Sequence, residues 1–364
     1  MHRAALATLV LLGLTPAASA DSATLRDIRL PPGFAIEVFT DEVPDGRSLA
    51  VGDQGTIFVA TRKDGRVYAV VPRENETPRV LTIASDLNIP NGVAFRDGDL
   101  YVAEVTQISR YRDIESKLDD IPAPEVINDS FPAERHHGWR YIGFGPDGKL
   151  YISIGAPCNI CNKEGYGNIS RLNADGTGRE IIASGVRNSV GFSWHPQTGE
   201  MWFTDNGRDM LGDDIPSGEL NRMTSKGAHF GFPFCHAGEI SDPEFGDQGD
   251  CKDFTAPAKK LGPHVAPLGI EFYTGEMFPA EYRGRLFIAE HGSWNRTEKI
   301  GYRIMTVTIG DAGPTNYEVF AEGWLKDGEV SGRPVDLLLL EDGSMLVSSD
   351  KSGSIYRISY KEPE

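Results

Sequence analysis

Two adjacent histidines, His136 and His137, head the stretch HHGWRYIGFGPDGKLYISIG at 136–155, directly before a strand–turn–strand pattern. Imidazole titrates near neutrality, so a histidine at such a junction has the chemistry of a general base. The residues alone also allow a plainer role in capping a loop. A second set is cationic: Arg47, Arg62, Arg187 in GVRNSVGF and Arg333 in SGRPVD recur just before or after predicted strands. The chain as a whole is acidic, with a formal net charge of −17. That balance argues against nucleic acid or an anionic membrane as the main partner. An anionic ligand would need positive charge gathered locally, and guanidinium groups are suited to that. Taken singly, each arginine fits a solvated or loop-tethering role; their recurrence at strand ends favours a common site.

The elements that must position these residues are strands. Six segments share one pattern of apolar strand, Gly-bearing turn and second apolar strand: 49–62, 93–105, 142–155, 192–207, 281–292 and 337–350. Their turn glycines, Gly55, Gly98, Gly148, Gly199, Gly284 and Gly343, recur on the scale of four-stranded blades with loop insertions. The expected fold is all-β, a six-bladed β-propeller. A sandwich or another repeated β-fold would share the short strands, but helical periodicity is almost absent between the segments. The early strand FAIEVFT at 34–40 is expected to pair with the final blade, removing two exposed sheet edges. The 41 glycines and 23 prolines are spread through turns, with no low-complexity linker, so residues 21–364 read as one propeller domain.

Residues 1–20, MHRAALATLVLLGLTPAASA, have a basic start, an apolar run and small residues at Ala18-Ser19-Ala20, the pattern of a cleaved signal peptide. The run is short for a spanning anchor, and no other membrane segment is expected. Export to the periplasm or medium would put the four cysteines in an oxidising setting. Three pairings are possible; Cys158 with Cys161 and Cys235 with Cys251 each lie within one loop, which favours local bridges. The CNIC pair reads as a structural staple or as a redox or access element. It is followed by Asn162, not histidine, which disfavours covalent haem attachment, and the wide second pair fits a four-cysteine zinc site poorly.

HHGWRYIGFGPDGKLYISIG, GVRNSVGF, EHGSWNR and GRPVDLLLLEDGSMLVSSD together resemble the soluble aldose dehydrogenases that use pyrroloquinoline quinone, particularly their sorbosone dehydrogenase-like branch. The resemblance spans nearly all of the mature chain and implies a six-bladed fold, a periplasmic setting and oxidation of sugar carbons. His137 matches the family's catalytic histidine. Arg187 and Asn188 match an Arg-Asn pair that contacts the quinone, and a guanidinium there would stabilise charge developing on the quinone oxygen. Arg333 matches an arginine that holds cofactor carboxylates. Arg47, Arg62 and Asn91 are placed with the cofactor by blade position, and His291 falls where glucose-oxidising relatives carry a lysine. Calcium is implied in DNGRDMLGDDIPSGELN at 205–221, with Gly207 and Arg208 supplying backbone oxygens and Glu219 resembling a ligand of a second, structural ion.

The chain also departs from the glucose-oxidising pattern. Ala156 stands where an aspartate would assist the histidine, and Val335 replaces a second arginine. Trp139 and Trp294 have the chemistry to stack on a sugar or quinone, although isolated tryptophans are more often core residues. The expected activity is oxidation of an aldose or related sugar aldehyde to its lactone or acid. Hydride would go to the quinone, and electrons to an external acceptor such as a quinone or cytochrome. One rival is a calcium-dependent lactonase, because IPNGVAF at 89–95 and the acidic loops resemble gluconolactonase-type propellers; hydrolysis would need a metal-activated water and carboxylates. The other is a non-catalytic ligand-binding propeller.

Overall fold

The computed structural model describes residues 25–74 and 76–363; the signal sequence expected at 1–20 lies outside the described residues. Six antiparallel four-stranded sheets are arranged as a β-propeller, one of them extended by a short fifth strand. Their first strands are Gly46–Val51, Gly92–Arg96, Ile142–Phe144, Phe192–Trp194, Pro267–Phe272 and Pro334–Leu339. Neighbouring first strands pack on one another and form the hub. The second strands, such as Ile57–Thr61, Leu150–Ile154 and Leu286–Glu290, are buried on both faces between adjacent blades. They therefore read as continuous apolar runs rather than as alternation.

All six turn glycines identified from the sequence have positive φ, from 69° at Gly199 to 84° at Gly98 and Gly343. A side chain there would strain the hairpin, which is why the repeat shows itself through glycine. The ring closes as expected: Phe34–Thr40 pairs antiparallel with Ser354–Tyr360, with Phe34 opposite Tyr360 and Ile36 opposite Ile358. The closing strand is anchored by Phe34, whose ring meets Phe278, Tyr282, Phe320 and Tyr360 edge-on at 4.8–5.2 Å. Both local disulfides are present, Cys158–Cys161 and Cys235–Cys251. Among the described residues no helix is long and apolar enough to cross a membrane.

Candidate active site

The loops that enter and leave the strands converge on a pocket of about 350 Å³, within the range of small-molecule sites. Five arginines line it, Arg47, Arg62, Arg187, Arg208 and Arg333, against one carboxylate, Asp209. The local concentration of positive charge on this acidic chain is therefore real. His136, His137, Asn188, Gly207 and His291 complete the predicted residues on its wall. Trp139 and Trp294 line it too, so the core role expected of isolated tryptophans is corrected: Trp294 is 69% exposed at the rim.

The two histidines are not equivalent. His136 is exposed, whereas His137 is buried, with a left-handed φ of 48° that a non-glycine residue adopts only when its surroundings hold it there. Its Nδ1 lies 2.8 Å from the carbonyl oxygen of Ala156. A carbonyl only accepts, so Nδ1 carries the proton and Nε2 keeps the lone pair of a base. Burial, with Arg187 and His136 nearby, pushes the His137 pKa well below its ordinary value, although the Ala156 bond opposes the shift. A Cβ on Gly155 would come within 2.6 Å of His137 Cβ, so the bare backbone of Gly155 makes room for the imidazole. Ala156, conspicuous in the sequence for the missing aspartate, thus contributes its main-chain oxygen.

Arg187 is held almost entirely by uncharged oxygens. Its Nε and Nη2 donate to the carbonyl and Oδ1 of Asn159 at 2.9 and 2.8 Å, and its Nη1 donates to the Asn206 carbonyl at 3.2 Å. Nη2 also reaches Asp209 at 3.1 Å. These contacts occupy four of the five guanidinium N–H groups and leave one. Asp205 accepts from the backbone N–H groups of Arg187 and Asn188 at 2.7 and 2.6 Å, fixing the turn that carries both. Asn188 Oδ1 in turn accepts from Trp139 Nε1 at 3.1 Å.

Across the pocket the charges converge on Asp350. Arg47 Nη1 donates to it at 2.9 Å, Arg62 approaches at 3.9 Å, and His291 Nε2 lies 2.9 and 3.0 Å from its two oxygens. Burial alone would raise the Asp350 pKa, but His291, Arg47 and Arg62 hold it far below the carboxylate range. His291 is itself pushed down to about 4 by burial, against the pull of Asp350. Its Nε2–H therefore donates to Asp350, which leaves Nδ1 as a lone pair. Asn91 is also placed differently from expectation. It is fully buried behind the lining, where its Oδ1 accepts from Arg47 Nε at 3.0 Å. The Arg333 guanidinium donates to the carbonyls of His291 and Gly292, at 3.0 and 2.8 Å, over the Tyr302 ring. Below these groups Val335, Val190 and Leu268 make an apolar floor against Trp139.

The residues expected to hold calcium divide. Gly207 and Arg208 line the main pocket, with the Arg208 guanidinium paired to Asp242 and Glu244. Glu219 lies off that pocket, in a cavity of about 10 Å³ beside it, together with Asp205; Gly207 and Arg208 border this cavity too. Burial, and for Glu219 the proximity of Asp205, raises both carboxyls above their usual range. Two buried carboxylates on a void about one water across suit a small cation. Among the described residues no group of three or more His, Cys, Asp or Glu side chains is placed to hold a metal, so backbone oxygens would have to complete the shell.

For an anionic quinone the donor set fits. Besides the excess of arginines, the Arg62 and Arg208 Nε atoms are buried without a hydrogen-bond partner. Buried donors of that kind are normally satisfied. Asn159, Asp350 and Asp205 are the site residues that sequence reading missed. Each stood inside a recognisable motif, Asn159 in CNIC, Asp205 at the start of the 205–221 stretch and Asp350 at the end of GRPVDLLLLEDGSMLVSSD, but no spacing revealed its partner.

The TrAA12-like family model matches residues 28–361. An uncharacterized protein of Borreliella burgdorferi is 35% identical, the alignment covering 96% of this chain and 94% of that one. The calcium structure of the Trichoderma reesei carbohydrate-active enzyme family AA12 has a TM-score of 0.82 at 20% identity, covering 92% of this chain and 97% of the other. The pyrroloquinoline quinone-dependent pyranose dehydrogenase of Coprinopsis cinerea is 33% identical over 122 residues, 28% of this chain and 16% of that protein. Its holo PQQ domain has a TM-score of 0.78 at 18% identity, covering 91% and 97% of the two chains. With the family model spanning nearly all of its described blades, the chain belongs to the TrAA12-like family.

Proposed function

We propose that the protein is a quinoprotein oxidoreductase that oxidises an aldose or related sugar aldehyde to its lactone or acid. One observation carries the reading: a neutral histidine with a fixed tautomer shares one pocket with five arginines on a chain that is otherwise strongly acidic. The Coprinopsis relative, described as a quinone-dependent pyranose dehydrogenase, points the same way. When bound, pyrroloquinoline quinone supplies a two-electron acceptor for hydride, and calcium supplies a Lewis acid that polarises a carbonyl.

The chain's own part is positioning and proton transfer. His137 Nε2 takes the proton of the hydroxyl borne by the substrate carbon that is to be oxidised, while Ala156 keeps Nδ1 protonated and the ring oriented. Arg187 presents one remaining N–H and a buried positive charge where negative charge develops. Arg333, with three N–H groups uncommitted, and Arg62 would receive carboxylates of the quinone. Gly207 and Arg208, through backbone oxygens, and Glu219 with Asp205 are the residues that would hold calcium. Trp139 is fixed by Asn188 and Arg62 and offers a flat apolar wall for a ring. Electrons leave to an external acceptor, and the protein works in the periplasm or medium; the two disulfides support an oxidising compartment. The sorbosone-like branch is retained as the finer assignment on the strength of Ala156 and Val335.

A lactonase would need carboxylates around an activated water, whereas the only carboxylate lining this pocket among the described residues is paired with Arg187. Apoprotein mixed with calcium and pyrroloquinoline quinone, then assayed for dye reduction with a panel of aldoses, is expected to show sugar-dependent turnover. No quinone binding and no reduction would sink the reading. Lactone hydrolysis with calcium alone would replace it.

A further inference from the structure

The loop between the strands Leu150–Ile154 and Asn168–Leu172 contains the Cys158–Cys161 disulfide, which closes a ring of four residues. Asn159 sits in that ring. Its carbonyl accepts Arg187 Nε at 2.9 Å and its Oδ1 accepts Arg187 Nη2 at 2.8 Å. The same Oδ1 accepts the Asp209 N–H at 2.9 Å, and Nδ2 donates to the Asp209 carbonyl at 3.0 Å. Asp209 is also the one carboxylate that pairs with Arg187. Every side-chain hydrogen bond of Asn159 thus goes to the arginine or to the residue that balances its charge.

Two acceptors from one residue fix both the plane and the height of a guanidinium, as the one-point contact with Asp209 does not. A loop of this length would leave those acceptors free to drift, and the short covalent ring removes that freedom. Without those acceptors the long side chain of Arg187 would keep only its contacts to Asp209 and the Asn206 carbonyl, which leave its Nε and the tilt of its plane unfixed. We infer that Asn159, locked in the Cys158–Cys161 ring, is the positioning residue that sets the Arg187 guanidinium. The consequence for catalysis rests on the reading of Arg187 as the group that faces the quinone.

The first test needs no cofactor. In protein labelled with 15N-arginine, the Arg187 Nε–H resonance is assigned by its loss in Arg187→Lys, and its exchange with water is measured. Asn159→Ala keeps the main-chain carbonyl that accepts Nε–H but loses the Oδ1 that holds Nη2 and the Asp209 N–H, and the double variant Cys158→Ser/Cys161→Ser frees the carbonyl itself; both are expected to speed that exchange by at least about tenfold, because the Nε–H bond is loosened. Asn159→Asp keeps both acceptor oxygens and is expected to hold exchange near the parent rate. Unchanged exchange in Asn159→Ala overturns the inference. The second test is a double-mutant cycle on enzyme loaded with calcium and pyrroloquinoline quinone, with a dye as electron acceptor. Asn159→Ala is expected to lower kcat by about 10- to 100-fold in the parent, the scale of a misplaced catalytic group. On an Arg187→Ala background it is expected to add less than about twofold, because the two act as one unit. Equal losses in both backgrounds would show that Asn159 acts elsewhere and overturn the proposed route. If Arg187→Ala leaves quinone affinity and turnover intact, the functional reading of Arg187 falls, while the exchange measurement still decides whether Asn159 holds it.

Discussion

On one wall of the pocket Arg47, Arg62 and His291 converge on the single carboxylate of Asp350. On the other, His137 leans on the Ala156 carbonyl, and Arg187 is gripped mainly by amide oxygens. The first wall has to hold permanent charge. Three arginines, counting Arg333, share one ionised aspartate and a neutral histidine, so a net positive field survives burial. The second wall has to keep a base neutral. A carboxylate beside His137 would raise its pKa through a full negative charge, whereas the Ala156 carbonyl orients the ring and raises it too little to offset burial, Arg187 and His136. Charge compensation and dipole orientation are thus divided between the two walls.

The largest effect is expected where chemistry depends on one atom. His137→Ala should lower kcat by about 10²- to 10⁴-fold, with quinone affinity changed far less, as read by steady-state kinetics beside a binding titration. Equal losses of affinity and turnover would make His137 structural and erase the contrast between the walls. On the opposite wall the expected loss is of stability. Asp350→Ala leaves buried cations without their shared partner and should cost about 3–5 kcal/mol in urea unfolding, the scale for breaking a buried ion pair. A change below about 1 kcal/mol would mean that water already screens the cluster, as at a surface pair.

Arg333 sharpens the comparison because it belongs to the charged wall yet its guanidinium donates to carbonyls. Arg333→Ala should weaken quinone binding by about ten- to a hundredfold, the worth of one charged hydrogen bond or two. Its effect on folding should be smaller than that of Asp350→Ala, since no buried carboxylate is orphaned. Calorimetric titration and urea unfolding on the same variant separate the two readings.

What the sequence disclosed divides along similar lines. The blades were legible because each hairpin needs a left-handed residue, and glycine marks it at Gly55, Gly98, Gly148, Gly199, Gly284 and Gly343. Arginines at strand ends pointed to a common pocket because the first strands all lead into it. The partners that tune those groups were hidden. Asp350 meets Arg47 across 303 residues of chain, and nothing near either position announces the contact. The hydrogen bond from His137 to Ala156 runs to a main-chain oxygen, which no side-chain pattern records. Asn91 was located in the right blade but one layer too far forward, since position along a strand does not say whether a side chain reaches the pocket or supports one that does.

The smallest expected effect is a displacement along the pH axis, and it tests the neutral wall most directly. His137 must be unprotonated to accept a proton, and burial lowers its folded pKa well below 6.5. The acid limb of kcat/KM should therefore lie below 6.5 rather than at it. Stability behaves differently. The unfolded chain protonates this histidine near its ordinary value of about 6.5, so stability begins to fall as pH drops through that point, and the loss stops accumulating only below the folded pKa. Between the two values the enzyme should keep its base while losing stability. The exposed neighbour His136 contributes to the depression, after burial and Arg187. His136→Ala should thus move the acid limb upward, by less than about one pH unit because the group is close to solvent. A limb at or above 6.5 in the parent would mean that His137 is solvated when it works. A downward move in His136→Ala would show that the outer histidine shields the inner one by some means other than charge.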